Sequence, residues 1–394
     1  METVVCDCKK REETLIALRR ELHKAPEIGG DLPKTRKIVC DYLDKIGVPY
    51  TLNPNDDGVV AEIKGGEEGK IIAFRADMDG LHIIENNNLP YKSQIAGQMH
   101  GCGHDAHVAM LLIAAEVINE YKEELNGTVR LLFQSGEETG TGAKQMLARG
   151  ALEGVDAVFA LHVGNLAGDE HNAGDLIILP GPVSAGKDKF TITVHGKGTH
   201  SAFPEKGIDP ILIAARIVNA CEEINARELP AGTAAVLSFG SFQAGVDHNT
   251  IPDTAILRGS IRVQDDETRD FIGERLKCVA TNIAAAFRAH CDVDIKKGSK
   301  TIINDADLSE FVAKVAAEAV GENRVITKTP STLMGSDDFA NYASRVPSVY
   351  AFLHTNNKEK GIASANHNAG FDIDESVLWE GAATYILVAT EYLK

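Results

Sequence analysis

The stretch at residues 99–107, MHGCGHDAH, brings His100, Cys102, His104 and His107 together. Thiolate and imidazole are donors for first-row transition metals, and a Cys-x-His pair at the edge of a helix supplies two at once. His100, Cys102 and His104 alternate, so an extended backbone points all three to one side. A loop cluster bonded only to backbone is the structural alternative, which so many donors in so short a stretch disfavour. Further donors follow strand-like runs: Asp77 and Asp79, two positions apart and so on one side; the adjacent Glu137 and Glu138; and His162. Taken singly, acidic pairs after strands are usually solvated and a lone histidine is usually a satisfied core residue. Arriving together beyond the carboxyl ends of strands in an open α/β sheet, they describe a metal centre.

The Glu137-Glu138 pair has a specific use in metal-assisted hydrolysis. One carboxylate binds metal, while its neighbour accepts a proton from water and passes it to the leaving amine. The nearby Gly140-Thr141-Gly142 lacks the G-K-[ST] ending of a phosphate loop and fits an ordinary helix start. Later in the chain, His200 lies in GTHSAFP, Asn249 in NTIP, and Arg262 in a strand-like run. Imidazole and carboxamide can polarise a carbonyl, and guanidinium can clamp a carboxylate. By themselves these three positions read as structural rather than functional. The C-terminal part adds GSDDFA at 335–340 and NHNAGFDIDE at 366–375.

The elements that must position these groups are readable from periodicity. Helical spacing marks residues 12–23 and 35–46, the second stopping at Gly47, and a helix is expected to begin near Asp105. Residues 70–75 (KIIAFR), 128–134 (TVRLLFQ), 156–163 (DAVFALHV) and 348–354 (SVYAFLH) are near-continuous apolar runs. Such runs suit strands covered on both faces, which predicts an α/β domain with a largely parallel, mixed sheet flanked by helices. The middle changes rhythm: residues 189–196 and 254–263 alternate with period two, helices are expected at 210–227 and 267–289, and strands at 234–242 and 292–296. The order β-α-β-β-α-β is that of a ferredoxin-like α+β unit. The expected organisation is residues 1–184, an insertion at 185–298, and a return to the first domain at 299–394.

Composition bounds the partners. Of 394 residues, 40 are Lys or Arg and 57 are Asp or Glu, a net charge of −17, which argues against nucleic acid and anionic membranes. No uncharged apolar stretch approaches the ~18 residues of a membrane span, and residues 1–20 hold no signal-peptide core. Seven cysteines, odd in number and thinly spread, are no disulfide framework and point to a reducing cytoplasmic compartment. Cys6 and Cys8 sit in a charged leader that reads as the frayed start of the first helix rather than as a metal pair.

FRADMDGL (74–81), MHGCGHDAH, FQSGEE (133–138), ALHV (160–163), GKGTHSAFPEKGIDP (196–210), HNTIPD (248–253), GSDDFA and HNAGFDIDES occur in one order along almost the whole chain. In this the sequence resembles the dinuclear-metal amidohydrolase family of aminoacylases, hippurate hydrolases and indoleacetyl-amino-acid hydrolases. The resemblance implies a two-metal catalytic domain interrupted by a lid or dimerisation domain. It implies Cys102, His104, Glu138, His162 and His367 as metal ligands, Glu137 as general base and acid, and Asp79 as the carboxylate behind them that orients a ligand. His200 and Asn249 would stabilise the oxyanion, in trans if a homodimer forms through the inserted domain, and Arg262 would receive the substrate carboxylate. The implied reaction is hydrolysis of an N-acyl amino acid, with dipeptides as the alternative substrate and a non-catalytic binding homologue as the third reading. Mixed sulfur, nitrogen and oxygen donors suit zinc or manganese, with cobalt or nickel as further candidates. Asp77 stands where other branches carry histidine, and Leu81-His82 replaces the common Leu-Pro, leaving the roles of Asp77 and His82 open. His354, at a strand end, competes with His367 for the last ligand position.

Overall fold

The computed structural model describes residues 2–165, 168, 170–330 and 333–394. It forms two compact units: Met1–Val183 with Ile302–Leu333 and Asp337–Lys394, and Ser184–Thr301 with Met334–Ser336. Among the described residues no helix is long and apolar enough to cross a membrane.

The first unit is built on an eight-stranded sheet. Its order is Tyr50–Leu52, Val59–Lys64, Asn126–Gln134, Glu67–Asp77, Ala157–Gly164, Ser348–His354, Leu176–Ile177 and Val325–Ile326. The four central strands, from Asn126–Gln134 to Ser348–His354, are mutually parallel, and antiparallel pairs flank them. Every residue of Ala157–Gly164 and of Ser348–His354 is buried, which is why both read as unbroken apolar runs. Alternate residues feed two cores. Phe74 and Phe159 pack beneath the helices Glu12–Lys24, His104–Glu120 and Leu378–Tyr392, while Ala73 and Val158 face Gly142–Ala148 and Ala340–Ala343. Because the central strands are parallel and in register, with Asp77 opposite Gln134 and His354 opposite Gly164, their carboxyl ends open along one edge.

Local signals set the helix boundaries. Pro33–Ile46 begins on proline and ends where Gly47 turns left-handed at φ 69°. The amino terminus departs from expectation, since Glu2–Lys9 is a helix of its own. Cys8 is fully buried in the main core, its thiol donating to the Trp379 carbonyl at 3.3 Å, while Cys6 is exposed. Packing of one face on the last helix stabilises what looked like a frayed leader.

The second unit follows the order Gly186–His195, Pro210–Glu223, Ala235–Ala244, Thr254–Val263, Asp266–Ala286 and His290–Lys297. Its antiparallel sheet runs Ala235–Ala244, Thr254–Val263, Gly186–His195, His290–Lys297, the ferredoxin-like arrangement. Asp209 and Asp265 accept backbone N–H groups at the starts of the two helices. The first helix is shorter than its periodicity predicts, loosening into a π turn at Ile224–Glu228.

Candidate metal centre

Three strand ends and one helix start converge at the open edge of the first unit. Glu67–Asp77 leads to Asp79, Asn126–Gln134 leads to Glu137 and Glu138, and Ala157–Gly164 carries His162. Between them, the His104–Glu120 helix starts after Gly103, whose φ of +86° makes a sharp turn. A Cβ at Gly103 would lie 2.3 Å from a Val163 methyl, so only glycine lets the chain pass so close to the strand. This turn also corrects the expected alternation of His100, Cys102 and His104. The backbone is not extended there, and the buried His100 ring points toward His23, 6.3 Å between centroids, and joins no donor cluster.

Cys102, His104 and His162 bring donor atoms within 4.8 Å of one another, and so do Cys102, Glu138 and His367. His104, Glu137 and Glu138 form a third such group. The five residues implied as ligands therefore surround one space, with the Cys102 thiol common to two groups. Hydrogen bonds fix which nitrogen each imidazole presents. His104 Nδ1 donates to the Asp79 carbonyl at 2.8 Å, leaving Nε2 buried with no hydrogen-bond partner. His162 Nδ1 donates to the Val163 carbonyl at 2.8 Å and turns Nε2 toward Cys102 Sγ, 3.5 Å away. His367 Nε2 lies 3.3 Å from both Cys102 Sγ and Glu138 Oε1. Its backbone is left-handed at φ 65°, a conformation held by its N–H donating to the Gly101 carbonyl at 2.7 Å. Such strain in a non-glycine residue is characteristic of positions where function dictates direction. Next to it, the Asn366 side chain donates to the Cys102 and Val163 carbonyls, both at 3.2 Å.

The donor set fits divalent cations on the chain's own terms. The buried His104 Nε2 forms no hydrogen bond, and thiol, imidazole and carboxylate converge on the same space. Burial, with His107 alongside, holds the His162 pKa well below the usual imidazole value, so the ring is neutral and its lone pair available. Burial also opposes charge on Glu138, but His367 and His104 outweigh it and keep this carboxylate ionised. Glu137 differs: burial, Asp337 and Glu138 together raise its pKa well above the ordinary range. Asp79 lies behind the pair. Its two carboxylate oxygens accept the backbone N–H groups of Glu137 and Glu138, each at 3.1 Å, so one side chain fixes the turn that separates the two glutamates.

Several residues without an assigned role in the sequence complete the site. His107 Nε2 accepts the Val163 N–H at 2.9 Å, so its Nδ1 carries the proton and donates to Asp77 at 2.5 Å. With both nitrogens committed, His107 orients Asp77 and the strand and has no lone pair to offer. Asp77 is held well ionised against burial by Arg75, His104 and His107. Arg75, 2% exposed, joins Asp77 at 2.6 Å, Asp337 at 3.0 Å, Asp338 at 3.1 Å and Gln134 at 3.1 Å. Asp338 in turn accepts the Ala143 N–H at 2.9 Å, so a carboxylate sits at the start of the Gly142–Ala148 helix where phosphate binding was discounted. The one visible signal for Arg75 was an arginine inside an otherwise apolar run.

The remaining candidates lie elsewhere. His354 stands outside the donor groups, 5.9 Å from the His171 ring, and His82 is exposed. In the second unit, His200 pairs with Thr250 in a short ladder, and the Ser201 N–H donates to the Asn249 carbonyl at 2.9 Å, so His200 and Asn249 are neighbours. Arg262 is near the opposite end of Thr254–Val263, donating to the Met334 carbonyl at 2.8 Å. Eight residues of strand separate it from Thr254, roughly 27 Å at 3.4 Å per residue.

Residues 73–391 match the model of peptidase family M20/M25/M40. The chain is 35% identical over 396 residues to thermostable carboxypeptidase 1 of Saccharolobus solfataricus, covering 100% of this chain and 98% of that protein. It is 36% identical over 376 residues to N-acetyl-L-cysteine deacetylase of Bacillus subtilis, covering 95% and 87% respectively. Among solved structures it is similar to the Bacillus subtilis YXEP protein, described as a dinuclear metal binding peptidase from the M20 family, with TM-score 0.83, 32% identity and coverage of 98% and 99%. With a family model spanning most of its length and relatives aligned nearly end to end, this chain belongs to peptidase family M20/M25/M40 and is a hydrolase acting on amides.

Proposed function

We propose that this protein is a metal-dependent amidohydrolase that cleaves N-acyl amino acids to a carboxylic acid and a free amino acid. The observation that carries the reading is the arrangement of Cys102, His104, Glu138, His162 and His367 around one space, with Glu137 at its edge. In this reading those five residues hold two divalent cations, zinc or manganese being the best matched to the donors and cobalt or nickel also suited. When bound, the cations supply Lewis acidity that acidifies a water and polarises the amide oxygen. Glu137 takes the proton from the attacking water and returns it to the leaving nitrogen. Its raised proton affinity suits a group that must do both near neutrality. Asp79 keeps Glu137 and Glu138 apart through their backbone N–H groups, and His107 with Asp77 steadies His104 from behind.

His200 and Asn249 are assigned to the developing oxyanion and Arg262 to the substrate carboxylate. With His200 and Asn249 outside the strand Thr254–Val263 and Arg262 near its far end, a homodimer through the second unit is the arrangement in which one site could draw these groups from both copies. A cytoplasmic location agrees with seven cysteines that are all free. The relative named N-acetyl-L-cysteine deacetylase supports an acylated amino acid as substrate. A peptidase acting on short peptides is the second reading, favoured by the relatedness to a carboxypeptidase over the whole chain.

The test is release of free amino acid from N-acetyl and N-benzoyl amino acids and from dipeptides, using protein stripped of metal and reloaded with zinc, manganese, cobalt or nickel. The expected result is metal-dependent cleavage that falls by about 10²–10⁴-fold in Glu137→Gln. Unimpaired turnover in that variant removes Glu137 from the mechanism, and dipeptides outperforming every N-acyl amino acid shifts the assignment to the peptidase.

A further inference from the structure

Asp79 accounts for only part of the donor arrangement. Its carbonyl turns the His104 ring, and its carboxylate fixes the Glu137-Glu138 turn. Cys102, His162 and His367 come from other places: a turn before a helix, a strand, and a C-terminal segment that is neither. Their donor atoms nevertheless meet within a few ångströms, so the backbones carrying them must be tied together.

The Asn366 carboxamide touches the backbone at each of these places. Its Nδ2 donates to the Cys102 and Val163 carbonyls, and its Oδ1 accepts the Asn165 N–H at 3.1 Å. These partners are backbone groups of fixed polarity, so the oxygen and nitrogen of the amide fit only this way round. The Val163 carbonyl is also the one that receives the proton of His162 Nδ1, so the group that orients the His162 ring is itself held by Asn366. The next residue completes the grip. The His367 N–H donates to the Gly101 carbonyl, so the consecutive carbonyls of Gly101 and Cys102 are bound by the consecutive residues His367 and Asn366. That fixes the 3.3 Å spacing between His367 Nε2 and Cys102 Sγ. The strand end leaves space for the carboxamide. Gly164 has φ +128°, and a Cβ there would lie 2.1 Å from Asn366 Oδ1, so a side chain at that position and the Asn366 amide exclude each other.

We infer that Asn366 is a positioning residue of the metal centre, setting the direction and spacing of Cys102, His162 and His367 as Asp79 does for His104 and Glu138. Both Nδ2 hydrogens and Oδ1 are engaged by backbone groups, so Asn366 acts through these ligands and not as a ligand itself. The inference rests on the ligand set of the amidohydrolase reading above. Partners standing behind metal ligands typically govern about 10–100-fold of metal affinity.

The experiment reloads metal-stripped protein with cobalt and reads two quantities. One is the dissociation constant by chelator competition; the other is the thiolate-to-cobalt charge-transfer absorption per bound ion. Asn366→Leu keeps the volume and removes all three bonds. Asn366→Ala adds no bulk against Gly164 and covers the case in which the leucine variant does not fold. Either should weaken cobalt retention by about 10–100-fold and shift or weaken the absorption per bound ion, with native circular dichroism. Asn357→Ala is the control: this half-buried asparagine of the same C-terminal segment bonds Asp374 at 2.7 Å and the Lys360 N–H at 3.2 Å, and its loss should move neither readout. Retention and absorption equal to native in a folded Asn366 variant overturn the inference. So does an equal loss in Asn357→Ala, which marks a general loosening of the segment. Native protein that takes up cobalt without thiolate absorption refutes Cys102 ligation, and the inference with it. Native absorption with unchanged Asn366 variants refutes the role of Asn366 alone, whereas the expected losses in a protein that cleaves no amide refute the amidohydrolase reading alone.

Discussion

Replacing Asp79 with asparagine tests whether one buried side chain sets the geometry of the two glutamates. In the native chain its oxygens accept the Glu137 and Glu138 N–H groups at 3.1 Å each, and the residue is 1% exposed. Hydrogen bonds to a charged acceptor contribute ~1.5–3 kcal/mol apiece, and a buried group left unsatisfied costs ~1–3 kcal/mol. Asparagine keeps one acceptor, but its NH₂ faces the second N–H, so one bond is lost and two donors confront each other. The expected destabilisation is about 2–4 kcal/mol, read from urea unfolding monitored by circular dichroism. His104 is bonded to the main-chain carbonyl of Asp79 and not to its side chain, so metal retention through His104 should survive. Displacing Glu137 by about 1 Å should lower kcat about 100-fold. Unfolding within 0.5 kcal/mol of the native value, roughly the scatter of an inert substitution, together with an unchanged kcat would refute the clamp.

Two further substitutions probe the surroundings. Arg75→Met leaves Asp77, Asp337 and Asp338 buried without their cation and should destabilise the chain by about 3–5 kcal/mol near neutral pH. Without Arg75 the folded-state pKa of Asp338 stands still further above its unfolded one. Its contribution is then intact below the unfolded value and lost as pH rises through the folded one, so the deficit should be largest at pH 8 and shrink toward pH 5. Asp338 already shows this direction in the native chain, where burial pushes it up to about 7, and a deficit independent of pH would contradict the account. Cys102→Ser replaces the thiol shared by two donor groups and should weaken metal retention by about 10–100-fold in chelator competition; retention equal to the native protein would exclude thiolate ligation.

The parts of the fold that were legible are those where burial is uniform along a strand. Residues 348–354 and 156–163 announced themselves because both faces are covered, leaving no polar alternation to confuse strand with surface. The second unit was legible for the opposite reason: its strands alternate between covered and open positions. The amino-terminal helix was not legible, because its stability comes from packing on a helix more than 370 positions away, where the Cys8 thiol donates to the Trp379 carbonyl and Lys9 lies over the Trp379 ring. Nothing in the local composition of ETVVCDCK reports that contact.

The site divides along the same line, between what residue type declares and what direction decides. Cysteine, histidine and paired glutamates are rare enough in combination that their chemistry is visible at once. Which histidine donates a lone pair is a matter of tautomer, and tautomer is fixed by backbone groups that spacing does not reveal. His104 and His107 lie one helical turn apart in the same motif, yet one gives Nδ1–H to a carbonyl and turns Nε2 into the centre, while the other gives Nε2 to the Val163 N–H and is consumed. Asp77 follows from that choice. This carboxylate accepts the His107 N–H on one oxygen and that of Arg75 on the other, lying 3.5 Å from the open nitrogen of His104. Its negative charge is thus spent between a neutral imidazole and a buried guanidinium, so that Glu138, and not Asp77, is the ionised carboxylate facing Cys102 and His367.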